Sequence, residues 1–466
     1  MTADPGSFRD HRGRVFTQNG RVLRALSPEG WSAWRRLSES PLFARLTESG
    51  RLIGTRPRTE NPADLAPPPG EWAGVLEHES LPMVSYPYEW SFGALQDAAV
   101  FFLDLLAEAL RHGFDLRDAT PYNIQFRGLR PVFIDVPSLE PRGDAAAWPG
   151  YGEFCRGFLF PLLLEAHRGL PFQRWMRGAL EGISAREMAS LFSWRDWAKA
   201  GVFKDIVVPS LMEGWSQQLD PGIVRTELRK AVPPVRVLRN IARLRDLAAG
   251  LRSGAPHPVW ADYRRDESYS EAGRREKTRF VEGALSRQRR RWVWDLGCND
   301  GEFTLRAARA AEGVLALDAD PGVVDGLRGR LAREGVENVL PLVMDLADPS
   351  PAQGWRGRER RSLEQRSTPD FILCLALTHH VVISRNIPLG EWLDWLGHLG
   401  APLVIEFATR ADSRVRRLLE EKNGDPRPDY DLTHFRKRLG EFFDVWEETT
   451  LDPGTRVLFF AHPRNR

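Results

Sequence analysis

Residues 291–305 read RWVWDLGCNDGEFTL, an apolar run that ends in Asp295 and leads into a loop containing Gly297 and Gly301. Glycine lets the backbone turn tightly and approach a ligand, because no β-carbon stands in the way. A helix that opens near Glu302 presents free backbone N–H groups and positive potential to this loop. The stretch therefore predicts a strand, a ligand-binding loop and a helix, an order that dinucleotide-binding folds share.

The acidic residues after the next two apolar runs narrow the kind of ligand. The run at 313–317 ends in Asp318, where a carboxylate can accept hydrogen bonds from both ribose hydroxyls of an adenosine. The next run ends in Asp345, which can accept from the adenine amine. The run before Asp345 predicts a strand at 339–344, and further strands are predicted at 370–376, 402–406, 442–449 and 455–461. Their alternation with helices predicts a parallel sheet, and the last two strands, split by Asp-Pro-Gly, predict a closing hairpin.

The series WDLGCNDGEF, ALDAD, MDLADPSP, DFILCLAL and LVIEF resembles the successive motifs of class I S-adenosylmethionine-dependent methyltransferases. The resemblance implies a doubly wound, Rossmann-like α/β sheet with a C-terminal antiparallel hairpin, and S-adenosylmethionine as the cofactor. It assigns cofactor contacts to Asp295, Gly297, Asn299, Gly301, Asp318, Asp345 and Leu346. Asn299 replaces the middle glycine of the common loop, and asparagine tolerates positive φ better than most residues. An NAD-binding Rossmann domain is the alternative, but the loop is not G-x-G-x-x-G, and the later acids fit adenosine better.

Candidate catalytic bases follow the predicted fourth and fifth strands of this domain. Methyl transfer from a sulfonium is an in-line displacement, for which the protein supplies proximity, orientation and a dry site. A hydroxyl acceptor also needs a base. His379 and His380 are adjacent and expected to point in different directions, so one can be the base while the other packs, or both can be structural. Glu406 is the other candidate, with a salt bridge or a helix cap as its structural alternative.

An arginine-rich segment, WRGRERRSLEQR at 355–366, separates the predicted third and fourth strands. It is either a solvated basic loop or a site that recognises a phosphate or carboxylate on the acceptor. A bacterial subfamily that carries an extra N-terminal region is similar to this chain in three segments. They are the first half of the arginine-rich segment, LALTHHVVISRNIPL, and YPYEWSF at 86–92. Some members of that subfamily are labelled nodulation-type proteins, and the similarity covers nearly the whole chain.

The N-terminal region contains the segment LRDATPYNIQFRGLRPVFIDV at 116–136. Asp118 and Asn123 stand five residues apart, and Asp135 follows on a predicted strand. The segment looks like the catalytic loop and metal-binding segment of protein and aminoglycoside kinases. That resemblance implies that Asp118 receives the substrate proton, while Asn123 and Asp135 hold magnesium on the nucleotide phosphates.

The same region departs from the kinase pattern in several ways. Leu116 replaces the usual histidine, and no glycine-rich phosphate loop precedes the segment. The first lysine of the chain is Lys199, so only an arginine such as Arg24 can face the phosphates, and arginine is not equivalent to lysine there. We therefore expect an α+β kinase-like region that has lost or altered phosphoryl transfer. Alternatively, the three polar residues cap and tie a β-hairpin.

The length of 466 residues calls for more than one domain. The segment SGAPH at 253–257 is typical of a linker. We predict a kinase-like region at 1–250, a linker at 251–260 and a methyltransferase domain at 261–466. Three distant cysteines, a polar N-terminus and the lack of an apolar run long enough to span a bilayer indicate a cytoplasmic protein.

The predicted function is methyl transfer from S-adenosylmethionine to an unidentified acceptor. A net charge of +2 and the lack of a recognised nucleic-acid module favour a small molecule or a glycan over nucleic acid. No CxxC or comparable spacing indicates a metal site. Two alternatives stay open: a bifunctional protein with an active kinase-like half, and a protein that binds the cofactor without turnover.

Overall fold

The computed structural model describes residues 2–60, 62–143, 148–216, 234–255, 269–422 and 429–464. The chain forms two compact units. The first comprises Met1–Pro256 and Ala352–Arg361, and the second comprises His257–Pro351 and Ser362–Arg466. The predicted linker at 251–260 falls at the boundary of the units, and its residues 256–260 lie outside the described residues.

The first unit begins with five short strands. They are β1 Thr2–Ala3, β2 Gly13–Gln18, β3 Arg21–Leu26, β4 Thr55–Pro57 and β5 Gly74–His78. They form one antiparallel sheet in the order β1-β2-β3-β5-β4. The Asn-Gly pair at 19–20 predicts a hairpin turn, and β2 and β3 form that hairpin. Asn19 and Gly20 adopt the positive φ values, 51° and 75°, that a tight two-residue turn requires. Helices α1 Pro28–Ser38 and α2 Pro41–Glu48 lie between β3 and β4 in the chain.

A long helix, α3 Phe92–Arg111, follows the sheet, as its three- and four-residue apolar spacing predicts. Ser91 caps its first turn by accepting a hydrogen bond from the Ala94 amide. Two antiparallel strand pairs come next. They are β6 Phe114–Leu116 with β9 Leu139–Pro141, and β7 Ile124–Arg127 with β8 Arg130–Phe133. The strand predicted at 131–136 ends early, so Asp135 follows β8, and a short 3-10 helix at Val136–Ser138 replaces the expected strand end.

The sequence pattern of 152–250 predicts mainly helices, and the described part of this region of the first unit is mainly helical. Its helices are α4 Tyr151–Phe154, α5 Phe160–Arg168, α6 Gln173–Gly178, α7 Ala185–Ser190, α8 Val208–Ser216 and α9 Pro234–Gly250. Residues 225–250 form a basic stretch whose pattern predicts a helix interrupted by two prolines. The part from Pro234 is helical, and residues 225–233 lie outside the described residues. The unit combines strands and helices as an α+β region does, while its likeness to kinases stays a prediction.

The second unit is built on seven strands. They are β10 Arg290–Leu296, β11 Ala311–Asp318, β12 Val339–Val343, β13 Phe371–Cys374, β14 Leu403–Ala408, β15 Phe443–Leu451 and β16 Arg456–Pro463. Their order in the sheet is β12-β11-β10-β13-β14-β16-β15. The first five in this order are parallel, whereas β16 runs antiparallel to both β14 and β15. This doubly wound sheet with its C-terminal hairpin confirms the predicted methyltransferase-like fold.

The helices of this unit lie in the connections between the strands, except the first, which precedes β10. They are α10 Glu271–Leu285, α11 Glu302–Ala310, α12 Pro321–Glu334, α13 Leu363–Arg366, α14 Leu389–His398, α15 Ser413–Glu421 and α16 Leu432–Phe442. Every residue of β13 and β14 is buried, as expected of central strands covered on both faces. The strand order reverses between β10 and β13, and ligands of such sheets bind outside the carboxyl ends at that point. None of the described helices has the length and apolar character needed to cross a membrane.

Candidate functional site

A cavity of about 1050 Å³ lies in the second unit at the carboxyl ends of the parallel strands. Its size is at the upper end of what small-molecule sites usually enclose. Most of the residues that the family resemblance assigns to the cofactor line it, namely Asp295, Gly297, Asn299, Asp318, Asp345 and Leu346. The seventh, Gly301, is the N-cap residue of α11. The structure thus brings the predicted cofactor residues together at one edge of the sheet.

The loop between β10 and α11 has three residues with positive φ: Gly297 at 75°, Asn299 at 45° and Gly301 at 80°. The φ of Gly301 favours glycine, and a β-carbon there would lie 2.2 Å from Leu327 Cδ1, so that side chain would have to move. Asn299 adopts the left-handed conformation that its replacement of the middle glycine demands. The loop therefore curls tightly against the start of α11, with its backbone exposed to the cavity.

Two carboxylates, the buried Asp295 and the half-buried Asp318, fix this loop. Asp295 Oδ2 accepts a hydrogen bond from Thr304 Oγ1 at 2.5 Å, which ties the end of β10 to α11. Burial raises the pKa of Asp295 to about 6, although the Thr304 hydroxyl opposes that shift. Asp318 accepts from the backbone amides of Asn299 and Asp320, each at 3.0 Å. Each oxygen of Asp318 keeps a further lone pair, so the carboxylate can still accept from a ligand hydroxyl.

Asp345, which lies just after the end of β12, already has a cationic partner. Its Oδ2 pairs with the guanidinium of Arg385, and its Oδ1 accepts from the Ala347 amide at 3.0 Å. Both charged side chains line the cavity. An adenine amine that reaches Asp345 must share this carboxylate with Arg385 or displace it. The sequence predicts catalytic bases after the fourth strand, and no local pattern there distinguishes Arg385.

The two adjacent histidines differ in their access to the cavity. Their ring centroids lie only 4.3 Å apart, so the expected divergence of the side chains is small. His380 lines the cavity, whereas His379 is fully buried, and neither of its ring nitrogens has a hydrogen-bond partner among the described residues. Burial, together with the neighbouring His380 and Arg456, lowers the pKa of His379 well below its ordinary value. Of the two, His380 is placed to meet an acceptor.

Glu406 is fully buried at the middle of an ionic network. Its Oε2 lies 2.7 Å from Lys277 Nζ, its Oε1 lies 3.2 Å from Arg456 Nη1, and the Tyr269 hydroxyl donates to it. Burial by itself raises the pKa of this carboxyl group, but the Lys277 and Arg456 cations outweigh that effect and hold it at about 2. A carboxylate this acidic is a poor proton acceptor, so the geometry favours the salt-bridge alternative.

Tyr269, Lys277 and Phe303 also line the cavity, and the sequence analysis did not single them out. The ammonium of Lys277 lies 4.7 Å from the Tyr269 ring centroid and 5.0 Å from that of Phe303, distances typical of cation–π contacts. Lys277 belongs to helix α10, which is rich in charged residues, and no local sequence pattern indicates which of them is buried. Its scarcity in an arginine-rich chain is the one signal that could have drawn attention to it.

In the first unit, the kinase-like residues are close to one another and paired with arginines. Asn123 Nδ2 donates to Asp135 Oδ2 at 3.5 Å, and Arg24 of β3 pairs with Asp135 Oδ1. Arg117 Nε lies 3.2 Å from Asp118 Oδ2. Within the described ranges, no group of three or more His, Cys, Asp or Glu side chains is arranged to hold a metal ion. These contacts support the interpretation of the three residues as structural ties, which stays a prediction.

The arginine-rich segment is divided between the units, and its part up to Arg361 belongs to the first. Arg360 lies over the Tyr122 ring, 4.1 Å from its centroid. Arg361 Nη2 donates to Asp4 at 3.1 Å, and its backbone amide donates to the Tyr86 hydroxyl at 2.8 Å. Arg360 and Arg361 therefore contact protein groups, whereas residues 354–358 are exposed, as expected of a solvated loop, with Trp355 at 64%.

Comparison with known proteins adds a relative of nearly equal length. No family model matches the chain. Nodulation protein NoeA of Rhizobium meliloti (strain 1021) is 33% identical over 456 residues, which cover 97% of this chain and 94% of NoeA. Among solved structures, the N-methyltransferase NodS from Bradyrhizobium japonicum WM9 has 17% identity and a TM-score of 0.32, covering 42% of this chain and 99% of its own. The magnesium protoporphyrin IX methyltransferase ChlM from Synechocystis PCC 6803, with bound SAH, has 19% identity and a TM-score of 0.29, covering 41% and 84%.

The similarity to NoeA extends through both units and is not confined to the cofactor motifs. It therefore confirms the predicted resemblance to a subfamily that carries an extra N-terminal region and nodulation-type labels. With a third of its residues identical over almost the full length of both proteins, this chain belongs to the family of the nodulation protein NoeA.

Proposed function

We propose that this chain is an enzyme that transfers a methyl group from S-adenosylmethionine to a small-molecule or glycan acceptor. The observation that carries the proposal is the loop from Gly297 to Gly301, held against the Asp318 carboxylate at the edge of a large cavity. A loop with positive φ at three positions exposes backbone groups, and the acid beside it provides a hydrogen-bond acceptor for ribose hydroxyls.

The described residues fit this cofactor. Asp318 would hold the ribose, and Asp345 with Leu346 would hold the adenine. The loop backbone would contact the cofactor where the 5′-carbon of the ribose joins the sulfonium sulfur. When bound, S-adenosylmethionine supplies an electrophilic methyl group on a cationic sulfur. The carboxylates of Asp295 and Asp318 favour a cation in the cavity, whereas Arg385 neutralises Asp345 and Glu406 neutralises Lys277.

The NAD-binding alternative is less compatible with the sheet. A dinucleotide-binding sheet of the Rossmann type is mostly parallel and continues past its fifth strand in the same direction. Here β16 lies antiparallel against β14, and β15 pairs with β16 at the sheet edge. This topology supports the methyltransferase interpretation independently of the loop sequence.

His380 is the residue that we assign as the base for the acceptor proton. It lines the cavity, and a neutral imidazole can accept a proton near physiological pH. His379 packs beneath it, out of solvent. An acceptor in this cavity must be a molecule or a terminal group small enough to enter it beside the cofactor, which supports a small molecule or a glycan end over folded nucleic acid.

The test is incubation of the full chain with methyl-labelled S-adenosylmethionine and fractionated small-molecule and glycan extracts. We expect label to appear in one of these fractions, and to be lost with Asp318→Ala together with cofactor binding. His380→Ala should bind the cofactor and transfer label more slowly, by about a hundredfold or more. If the wild-type chain binds the cofactor but labels no fraction, the alternative of a cofactor-binding protein without turnover is supported. If the wild-type chain does not bind the cofactor, the proposal is refuted.

A further inference from the structure

Ala376 adopts φ of 52°, a left-handed conformation that is uncommon for a residue with a β-carbon. It lies two residues after the end of β13 and lines the cavity together with its neighbours Leu375 and Leu377. Residues persist in such strained conformations only where the surrounding structure imposes them, and they concentrate at functional sites. The group that imposes this conformation is therefore of interest.

The contact that holds Ala376 comes from Glu406. The Ala376 amide donates to Glu406 Oε2 at 3.1 Å, and Lys277 Nζ lies 2.7 Å from the same oxygen. The Glu406 Oε1 atom faces Arg456, whose Nε in turn lies 2.7 Å from Asp412 Oδ2. Two carboxylates and two cations thus balance in a region closed to solvent, where Glu406 can neither rotate nor lose its charge without leaving a buried cation unpaired.

The conformation of Ala376 affects the wall of the cavity. Leu377 Cδ1 lies 3.2 Å from the position that a β-carbon on Gly297 would occupy, so this side chain packs directly against the glycine loop. If Ala376 returned to negative φ, the peptide planes on both sides would rotate, and Leu375 and Leu377 would move relative to the loop. The space available to the cofactor would then change.

We propose that Glu406 is a positioning residue: through the Ala376 amide it holds the turn at Leu375–Leu377 in the conformation that admits the cofactor. This inference rests on the proposed function, since it concerns S-adenosylmethionine binding in the same cavity. It assigns to Glu406 a role that acts through another residue, with no proton transfer by the carboxylate.

The test measures binding of S-adenosylmethionine to the full chain by calorimetry, and thermal melting of the same variants. Glu406→Leu removes the acceptor, and we expect affinity to fall about tenfold or more and melting to fall as well. Adding Ala376→Gly should restore most of the affinity, because glycine adopts positive φ without support. It should not restore melting, since the buried Lys277 still lacks its carboxylate and Arg456 keeps only the ion pair with Asp412. A role in folding alone would not give this separation.

Asp412→Asn is the matched control. It removes a carboxylate of the same buried network, keeps the helix cap because asparagine caps as well as aspartate, and does not touch Ala376. It should lower melting and leave affinity unchanged. Where Glu406→Leu does not fold, Glu406→Gln takes its place: it keeps an oxygen for the Ala376 amide and should bind the cofactor nearly as well as the wild type.

The inference is overturned if Glu406→Leu binds normally, if Ala376→Gly restores nothing, if Asp412→Asn loses as much affinity, or if a loss in Glu406→Gln is not rescued by Ala376→Gly. A wild-type chain that does not bind the cofactor refutes the proposed function instead, so the two failures are distinct.

Discussion

The ammonium of Lys277 lies 2.7 Å from the carboxylate of Glu406, and both groups are buried in the second unit. Removing Glu406 would leave the buried Lys277 without its carboxylate, whereas removing Lys277 would leave Glu406 paired with Arg456. A carboxylate with a pKa of about 2 holds no proton near neutral pH and accepts one only at a high energetic cost. The low pKa therefore argues against Glu406 as the base and leaves the two histidines, of which His380 lines the cavity.

His380→Ala should lower turnover by about a hundredfold or more while cofactor affinity is preserved, because a general base contributes to the transition state and not to cofactor binding. The measurement is the rate of label transfer to the acceptor identified by fractionation, with calorimetry on the same preparation. Unchanged turnover would mean that transfer proceeds without this base.

His379→Ala serves as the comparison. Because His379 is fully buried, its truncation should cost about 2–4 kcal/mol of unfolding free energy, as for other large-to-small substitutions in a core. Chemical denaturation measures this loss. A variant that keeps wild-type stability but loses turnover would transfer the catalytic role from His380 to His379.

Asp318→Ala should weaken S-adenosylmethionine binding by about 1.5–3 kcal/mol, the range for hydrogen bonds to a charged group. The structure adds a second reason, because the same carboxylate accepts from the Asn299 amide and so holds the loop in place. Calorimetry measures the loss. Asp320→Asn is the control: this neighbour caps α12, asparagine keeps the cap, and affinity should stay at the wild-type value. Equal affinities in both variants would remove Asp318 from the site.

The acids at the strand ends were predictable, because the carboxyl ends of parallel strands meet at one edge of a sheet. Asp295, Asp318 and Asp345 each follow an apolar run in the sequence, and that pattern is local. The fold of the second unit could be predicted for the same reason, since alternating apolar strands and helices leave few ways to build the sheet.

The partners of these groups could not be predicted from local patterns. Lys277 meets Glu406 across more than a hundred residues of sequence, and Arg385 meets Asp345 from another connection of the sheet. The segment Ala352–Arg361 belongs to the first unit although it lies within the sequence of the second. Such contacts depend on tertiary packing, and in an arginine-rich chain no single arginine stands out.

Stability should fall below pH 6.5 in part through His78. Burial and the nearby Arg24 lower the pKa of this side chain to about 3, whereas the unfolded chain titrates near 6.5. Between these values the unfolded state binds a proton that the folded state does not, so the stabilising contribution is complete above pH 6.5 and is lost as the pH falls. From pH 7.5 to 5.5 this amounts to about 1.4 kcal/mol.

The measurement is urea unfolding of the wild type and of His78→Gln at both pH values. The wild type should lose about 1.4 kcal/mol more than the variant. His379 titrates with the same sign, and Asp295, whose pKa is raised to about 6, with the opposite sign, but both are present in each protein and cancel in the difference. An identical pH dependence in the two proteins would show that His78 is protonated in the folded state.

Mg-ATP should not raise the melting temperature of the full chain. A ligand that binds the folded state must stabilise it, and a magnesium–nucleotide site here would need the oxygens of Asn123 and Asp135. The Asp135 carboxylate is already paired with Arg24, and each has only 14% of its side chain exposed. Magnesium would have to break that ion pair before it could bind. The full chain is the proper sample, because Ala352–Arg361 completes the first unit.

Arg24→Ala distinguishes the two roles of this arginine. If Arg24 ties the hairpin to the first sheet, its loss leaves Asp135 without a cation and should cost about 2 kcal/mol of unfolding free energy with or without Mg-ATP. If Arg24 instead serves a nucleotide phosphate, the wild type should melt higher in Mg-ATP, and the shift should vanish in both Arg24→Ala and Asp135→Ala. That second pattern would establish a nucleotide site in the first unit. We expect the first pattern, because the cation that neutralises Asp135 belongs to the protein's own strand β3.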